Sequence, residues 1–205
     1  MHKTHLYLPL ILLLMCSWVT AAPRLTVVVL VDGLCQENLR TMQPFLPSGG
    51  LRTLYQEGLH AEIALSPLTY GGVETVADLL TGETPATHGV AMNTYFDRKD
   101  RRVHNILEDT REKGIGSVEQ LSPCNLLSTT IADYFRLYYG KEAHIYAIGQ
   151  DPTTTILMAG HAADACCWMD YQTQKWATTS FYAGGLPGAA DEMNMSTRIA
   201  DECDK

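Results

Sequence analysis

The sequence is short of positive charge. Lys and Arg together number 15 against 23 Asp and Glu, a formal net charge of −8, which excludes the basic footprint by which proteins hold duplex nucleic acid. No Cys-x-x-Cys pair occurs, so a zinc ribbon or a thioredoxin-type redox site has no support. Gly-x-Ser-x-Gly is missing too, and with it the strand–turn–helix elbow of serine hydrolases. Asp-His dipeptides, internal repeats and low-complexity stretches are absent, and no apolar run reaches the roughly 20 residues of a spanning helix. What is present, 205 residues of which 46% are hydrophobic and 16 are Gly, suits one folded domain.

The first residues are set aside from fold reasoning. Leu6 to Met15 is apolar and leads into Cys16-Ser17-Trp18-Val19-Thr20-Ala21-Ala22-Pro23, the pattern of a secretory signal over residues 1–21 with cleavage after Ala21. The expected mature chain, 22–205, is then secreted or periplasmic and carries no membrane segment. Its charge falls to 14 − 23 = −9 on loss of Lys3. Five Cys remain, an odd number for an oxidising compartment, and they read best as small buried hydrophobes.

Leu25 to Val31 is a β-branched run ending in Asp32-Gly33. This is the pattern of a strand covered on both faces in an α/β sheet, with Asp32 at its functional carboxyl end. Gly50 to Gly58 reads as a short helix, and His60 to Leu65 as the second strand. Gly71-Gly72 opens a helix over 73–81 that stops at Gly82, a feature that reads either as a plain tight turn or as a helix start that offers backbone N–H groups to an anion. Val90 to Phe96 and Arg101 to Ile106 form a hairpin across Asp97-Arg98-Lys99-Asp100. Asn125 or Ser128 caps a helix through Leu137, His144 to Ile148 is the third core strand, and Cys166 to Asp170 with Lys175 to Thr179 forms a second hairpin. No further element is expected toward Lys205.

Candidate metal ligands are sparse. Asp32 is the one carboxylate at a strand end. His60, His88, His104, His144 and His161 are scattered, and the Asp100–His104 spacing falls at the hairpin turn. His161, three residues before Asp164, reads as a satisfied structural imidazole.

Five blocks in order now carry a resemblance: Val31-Asp32-Gly33, Thr81 to Gly89, Asn93 to Arg98, Ser122 to Thr130, and Ala159-Gly160-His161 to Ala165. They resemble the phosphate-irrepressible alkaline phosphatases, exported proteins close to the type I phosphodiesterase and nucleotide pyrophosphatase branch of the alkaline phosphatase superfamily. The resemblance runs from about Leu25 to Asn194. It implies an α/β fold, the amino-terminal half of the three-layer α/β/α sandwich of the alkaline phosphatase type. It also implies a phosphate-ester substrate and a two-zinc phosphoryl transfer, in which a Thr at a helix start attacks phosphorus. Asp32 then falls on a metal ligand and Asn93 on the Asn that binds a phosphoryl oxygen.

The departures decide more than the matches. Counting back from Thr81-Gly82 places the nucleophile at Gly72, and anchoring on Thr69-Tyr70 places it at Gly71; neither has a side-chain oxygen. Thr69 and Thr75 stand about three residues off, a displacement of roughly 4.5 Å or more, too far for in-line attack. Asp151 and Thr153 occupy the positions of the Lys and Arg that stabilise phosphoryl charge in the family. Losing such stabilisation costs about 100-fold or more. The family's other Asp and His ligands belong to a second half of the domain, so stable zinc binding by this chain is not expected.

Three readings follow: a protein of this fold that is inactive as given, a phosphatase or phosphodiesterase completed by a partner chain, and a non-catalytic exported module that holds an anion at Gly71-Gly72. Half a sheet leaves an open edge, to be covered by a carboxyl-terminal half or by self-association.

Overall fold

The computed structural model of the chain describes residues 24–61 and 71–196, which belong to two units, Met1–Glu62 and Ile63–Lys205. The expected signal segment and most of the expected second strand lie outside the described residues; His60 and Ala61, which are described, are not in a strand.

In the first unit the run Leu25–Val31 belongs to no strand, a correction to the expected core strand. Leu25 is 79% exposed, and Val27, Val28, Val29 and Val31 are exposed as well. Strand preference measures the fit of a side chain to a pleated, half-buried surface, and within the described residues of the first unit no other strand is assigned to supply that surface. Helices α1 (Gln36–Met42) and α2 (Leu51–Glu57) follow. The second matches the expected helix, with the N–H of Gly58 closing onto the carbonyl of Leu54. No residue of 24–61 is buried.

The second unit has the core. Helix α3 (Val73–Thr81) turns Val73, Ala77 and Leu80 inward, the three-and-four spacing of an amphipathic helix. Gly82, at φ 72°, ends it in the left-handed conformation that glycine adopts without penalty. A single helical turn, α4 (Pro85–His88), begins with Pro at its first position. Strands β1 (Thr94–Asp97) and β2 (Arg102–Asn105) form the expected hairpin, in register Thr94↔Asn105 and Asp97↔Arg102.

The four-stranded sheet has the order β3–β6–β5–β4, from β3 (Gly114–Ile115), β4 (Tyr146–Gly149), β5 (Ala165–Asp170) and β6 (Lys175–Thr179). Strands β4 and β5 are parallel, in register Ala147↔Cys166 and Gly149↔Trp168, and the remaining pairs are antiparallel. Helix α6 (Pro152–Ala159) crosses between β4 and β5, as a parallel connection requires. Its Ile156 and Leu157 bury against Ala147, Cys166, Trp168 and Ala177, which alternation places on one face.

Helix α5 (Ile131–Tyr139) is capped by Thr130, not by Asn125 or Ser128. The Thr130 side chain accepts from the N–H of Asp133, and the Asp133 carboxylate accepts from the N–H of Thr130, a reciprocal box that satisfies two helix-start donors. Asn125 instead donates its side-chain amide to the carbonyl of Ile106. A final helix, α7 (Gly188–Met195), stands where no element was expected. It has no strong apolar face; Asn194 anchors it by exchanging side-chain hydrogen bonds with the backbone N–H and carbonyl of Trp176.

Candidate functional site

The Gly-rich turn does open a helix, with Gly72 as the N-cap of α3. Free N–H groups at such a start attract anions, but here the chain's own side chains take them. The N–H of Gly71 donates to Oγ1 of Thr75 at 3.1 Å, and that of Gly72 to Oε1 of Glu74 at 3.1 Å. Glu74 is buried, so an anion held at this turn has to displace a carboxylate.

Below it, α3 carries a second buried acid. Oδ1 of Asp78 accepts from Nε2 of His88 at 2.8 Å, and Nδ1 of His88 accepts from the N–H of Val90. With Nδ1 accepting, Nε2 is the nitrogen that donates to Asp78. His88 thereby ties α3 to the Gly89 turn as a structural group.

Around His161 the accounting differs. Nδ1 stands 3.0 Å from Oδ2 of Asp133 and Nε2 stands 2.9 Å from the carbonyl of Leu126, and both of these oxygens only accept. The ring therefore donates twice, as an imidazolium. The hydrogen bond to Asp133 raises the His161 pKa above its ordinary value. Burial alone would raise the Asp133 carboxyl, but the His161 side chain and the backbone N–H groups of Thr130 and His161 hold it below the usual range. Oδ1 of Asp133 also accepts from the N–H groups of His161 and Ala162. With no lone pair to offer, His161 is the satisfied structural imidazole that was expected. Asp133 was missed; the Thr-x-x-Asp spacing of a capping box was its one local signal.

Asp151 is the N-cap of α6, its Oδ2 accepting from the N–H of Thr154 at 2.6 Å. Thr153 is buried and its hydroxyl accepts from Nδ2 of Asn105, so it braces α6 on β2. Asp151 lines a cleft of about 390 Å³ at the carboxyl ends of β4 and β5, together with Glu119, Gln150, Asp170 and Tyr171. This is where open α/β sheets place ligands, yet three carboxylates line it. Burial first, then the charges of Asp170 and Asp151, push the Glu119 carboxyl up.

Asp32 is exposed in the first unit. Among the described residues the one convergent set of metal-ligand types is Asp97, Asp100 and His104, which excludes Asp32. It sits at the hairpin turn, where His104 is bracketed by Oδ2 of Asp100 at 2.6 Å and Oε2 of Glu108 at 2.8 Å. Both ring nitrogens face carboxylates, an arrangement for an imidazolium and not for a metal ligand. Among the described residues no set of three side chains thus offers the free lone pairs that a catalytic zinc needs. Asn93 is exposed immediately before β1, with its backbone carbonyl accepting from the N–H of Ile106.

Of the described Cys, Cys166 and Cys167 are buried as expected, Cys124 is half-buried and Cys35 is exposed, all unpaired. Burial pushes the Cys167 thiol up to about 11 and the Cys166 thiol further, which leaves both unreactive. No helix among the described residues is long and apolar enough to cross a membrane.

Comparison with known proteins places this arrangement. The sequence model of the family described as type I phosphodiesterase / nucleotide pyrophosphatase matches residues 26–201. The alkaline phosphatase PhoV of Synechococcus elongatus is 29% identical over 181 residues, 85% of this chain and 32% of that protein. The alkaline phosphatase PafA of Elizabethkingia meningoseptica is 27% identical over 181 residues, 84% of this chain and 32% of its own length. The crystal structure of wild-type PafA superposes with a TM-score of 0.56 at 26% identity, over 62% of this chain and 25% of that one. The chain thus spans about a third of the length of the curated relatives it matches.

Proposed function

The chain belongs to the type I phosphodiesterase / nucleotide pyrophosphatase family, and on that premise we propose that it is the amino-terminal portion of an exported phosphoester-hydrolase domain that does not itself turn over phosphoesters. The observation that carries this reading is the helix start at Gly72, which has no side-chain oxygen and whose N–H is taken by Glu74. Covalent phosphoryl transfer needs an activated nucleophile within reach of phosphorus, and both aligned positions, Gly71 and Gly72, lack one.

Two further observations point the same way. The aligned position that should bring positive charge to the phosphoryl group holds Asp151, in a cleft already lined by Glu119 and Asp170. Asp32, on the family's ligand position, belongs to no group of three or more metal-ligand side chains among the described residues. A partner carrying the rest of the family domain brings further ligands but not the nucleophile, because the glycines belong to this chain. Completion by a partner therefore restores the fold more readily than the chemistry. An anion-binding role at the same turn is the weaker reading, since the anion competes with Glu74.

The test is zinc content and p-nitrophenyl phosphate hydrolysis by the purified chain, with and without added zinc and chelator. The expected result is no stoichiometric zinc and no chelator-sensitive turnover. Zinc at one or two per chain with turnover that a chelator abolishes overturns the reading.

A further inference from the structure

The Asp100–His104 spacing at the hairpin turn belongs to a cluster that the proposed function leaves unused. Nε2 of His104 stands 2.6 Å from Oδ2 of Asp100 on the turn, and Nδ1 stands 2.8 Å from Oε2 of Glu108 beyond β2. A carboxylate oxygen of Asp97 comes within 4.8 Å of both Asp100 and the His104 ring. The ring thus sits among three carboxylates and donates from both nitrogens. The hydrogen bond to Glu108 first, and that to Asp100 second, raise the His104 pKa above its ordinary value. Tyr95, the register partner of His104, brings its ring to 5.7 Å, and Arg102 is paired with Asp97 across the strands. Arg98, Lys99 and Arg101 complete the charged groups of the turn.

This turn is strained without its histidine. The N–H of Arg101 closes it onto the carbonyl of Asp97 at 2.9 Å, which holds Arg101 at φ 61°, in the left-handed region that favours glycine. Asp97 and Asp100 each turn Oδ1 toward a backbone N–H, of Lys99 and Arg102 respectively, and so two negative charges meet at the tip. An imidazolium beside them offsets the strain and the repulsion together. A neutral ring donates from one nitrogen only, so one of its two carboxylate contacts is lost while the crowding of like charges remains. The base of the hairpin is held separately: the N–H of Ile106 donates to the carbonyl of Asn93, and Nδ2 of Asn105 donates to Thr153 of α6 at 3.3 Å. The tip is therefore a two-state element on a fixed base.

We propose that the tip of the β1–β2 hairpin is a pH-gated latch: His104, as an imidazolium, fastens the turn between Asp97 and Arg101 to Glu108, and loss of its proton releases that turn while the base stays tied to α6. The latch is independent of whether the chain turns over phosphoesters. His104 is raised above 6.5 in the fastened state, so the fastening is complete below about pH 6.5 and is lost as pH rises through the fastened value. The side chains of Asp100 and Glu108 are 44% and 37% exposed, so solvent screens both contacts. The gate accordingly shifts the population of the tip a few-fold and leaves the domain folded.

The experiment is NMR of the full, isotopically labelled chain between pH 5 and pH 9. It reads the His104 ring carbon and, by magnetisation transfer from water, the exchange rates of the Arg101 and Arg102 amides at the tip and of the Ile106 amide at the base, each divided by its intrinsic rate at that pH. His104 is expected to titrate above the ordinary histidine range, and tip protection to fall about threefold or more across that titration with Ile106 unchanged. His104→Gln, which cannot carry the charge, is expected to leave the tip weakly protected at every pH, with circular dichroism showing that the variant folds. Asp100→Asn combined with Glu108→Gln is expected to bring the His104 titration down to the ordinary range. Tip protection that stays constant through the His104 titration overturns the proposal, and so does a pH dependence that persists in His104→Gln, which puts the gate on another group. An equal loss at Arg101 and Ile106 overturns it as well, because the domain then loosens as a whole. The comparison of tip with base in the wild-type chain needs no variant and decides on its own.

Discussion

At the head of α3 the N–H of Gly72 donates to Glu74, and at the head of α6 the N–H of Thr154 donates to Asp151. The head of α5 carries a third acid, Asp133, but that carboxylate accepts from five donors, the N–H and hydroxyl of Thr130, the N–H and ring Nδ1 of His161 and the N–H of Ala162. The first two starts fall at the positions where the resemblance puts catalysis, and each spends one donor on a local acid. The third joins segments 28 and 29 residues apart. Acids at helix starts thus serve two purposes here, as local plugs and as a tertiary clamp, and the two differ in energy.

The clamp predicts the largest effect. Asp133→Ala strands the buried N–H of Thr130 and the N–H groups that tie His161 and Ala162 to α5, so a loss of about 2–3 kcal/mol is expected. For a domain of this size that is a fall in Tm of roughly 5–10 °C. Gly160→Ala reaches the same clamp from the other side. Gly160 sits at φ 64°, and a Cβ there meets Oγ1 of Thr130 and the carboxylate of Asp133. Thermal unfolding of both variants checks the comparison; a change as small as that of a surface cap removes the distinction between clamp and plug.

The clamp also predicts a pH dependence. His161 is raised above 6.5 in the folded state, so its contribution is fully present below about pH 6.5 and is lost as pH rises through the folded value. Asp133 is lowered below 3.8, so its contribution is present above that value and is lost as pH falls through the folded one. Urea midpoints are therefore expected to be higher at pH 5.5 than at pH 8, with His161→Asn flattening the difference. A midpoint that rises from pH 5.5 to pH 8 in the wild-type chain contradicts the imidazolium.

How far these features are legible in sequence follows from their range. The helix over 73–81 and both hairpins rest on periodicity and Gly stops within about ten residues, and all of them formed. Gly72 and Asp151 were legible as departures from a motif, but not the fate of the N–H groups around them, which depends on rotamers of Glu74 and Asp151. The clamp was invisible because its donors lie far along the chain from Asp133. Leu25 to Val31 failed for the converse reason: its β-branched pattern is local, while a buried strand needs partners. Helix α6 was passed over because its Thr153-Thr154-Thr155 run is a poor helix former, and burial of Thr153 and Thr155 decides it.

Asp151 offers the smallest and most specific test. Asp151→Ala removes an N-cap and is expected to cost about 1 kcal/mol. Asp151→Asn retains the acceptor for Thr154 and is expected to leave stability within about 0.5 kcal/mol of wild type. The two substitutions share one further consequence, since each removes a negative charge from the cleft. Glu119 is raised by burial and by the charges of Asp170 and Asp151, so its titration, followed by NMR, should move down toward the ordinary range in both variants. Stability and titration then separate the two parts of Asp151: the cap is lost only with alanine, while the repulsion is relieved by either. A Glu119 titration unmoved by Asp151→Asn means that burial and Asp170 alone account for its shift, and that Asp151 is a plug without electrostatic influence on the cleft.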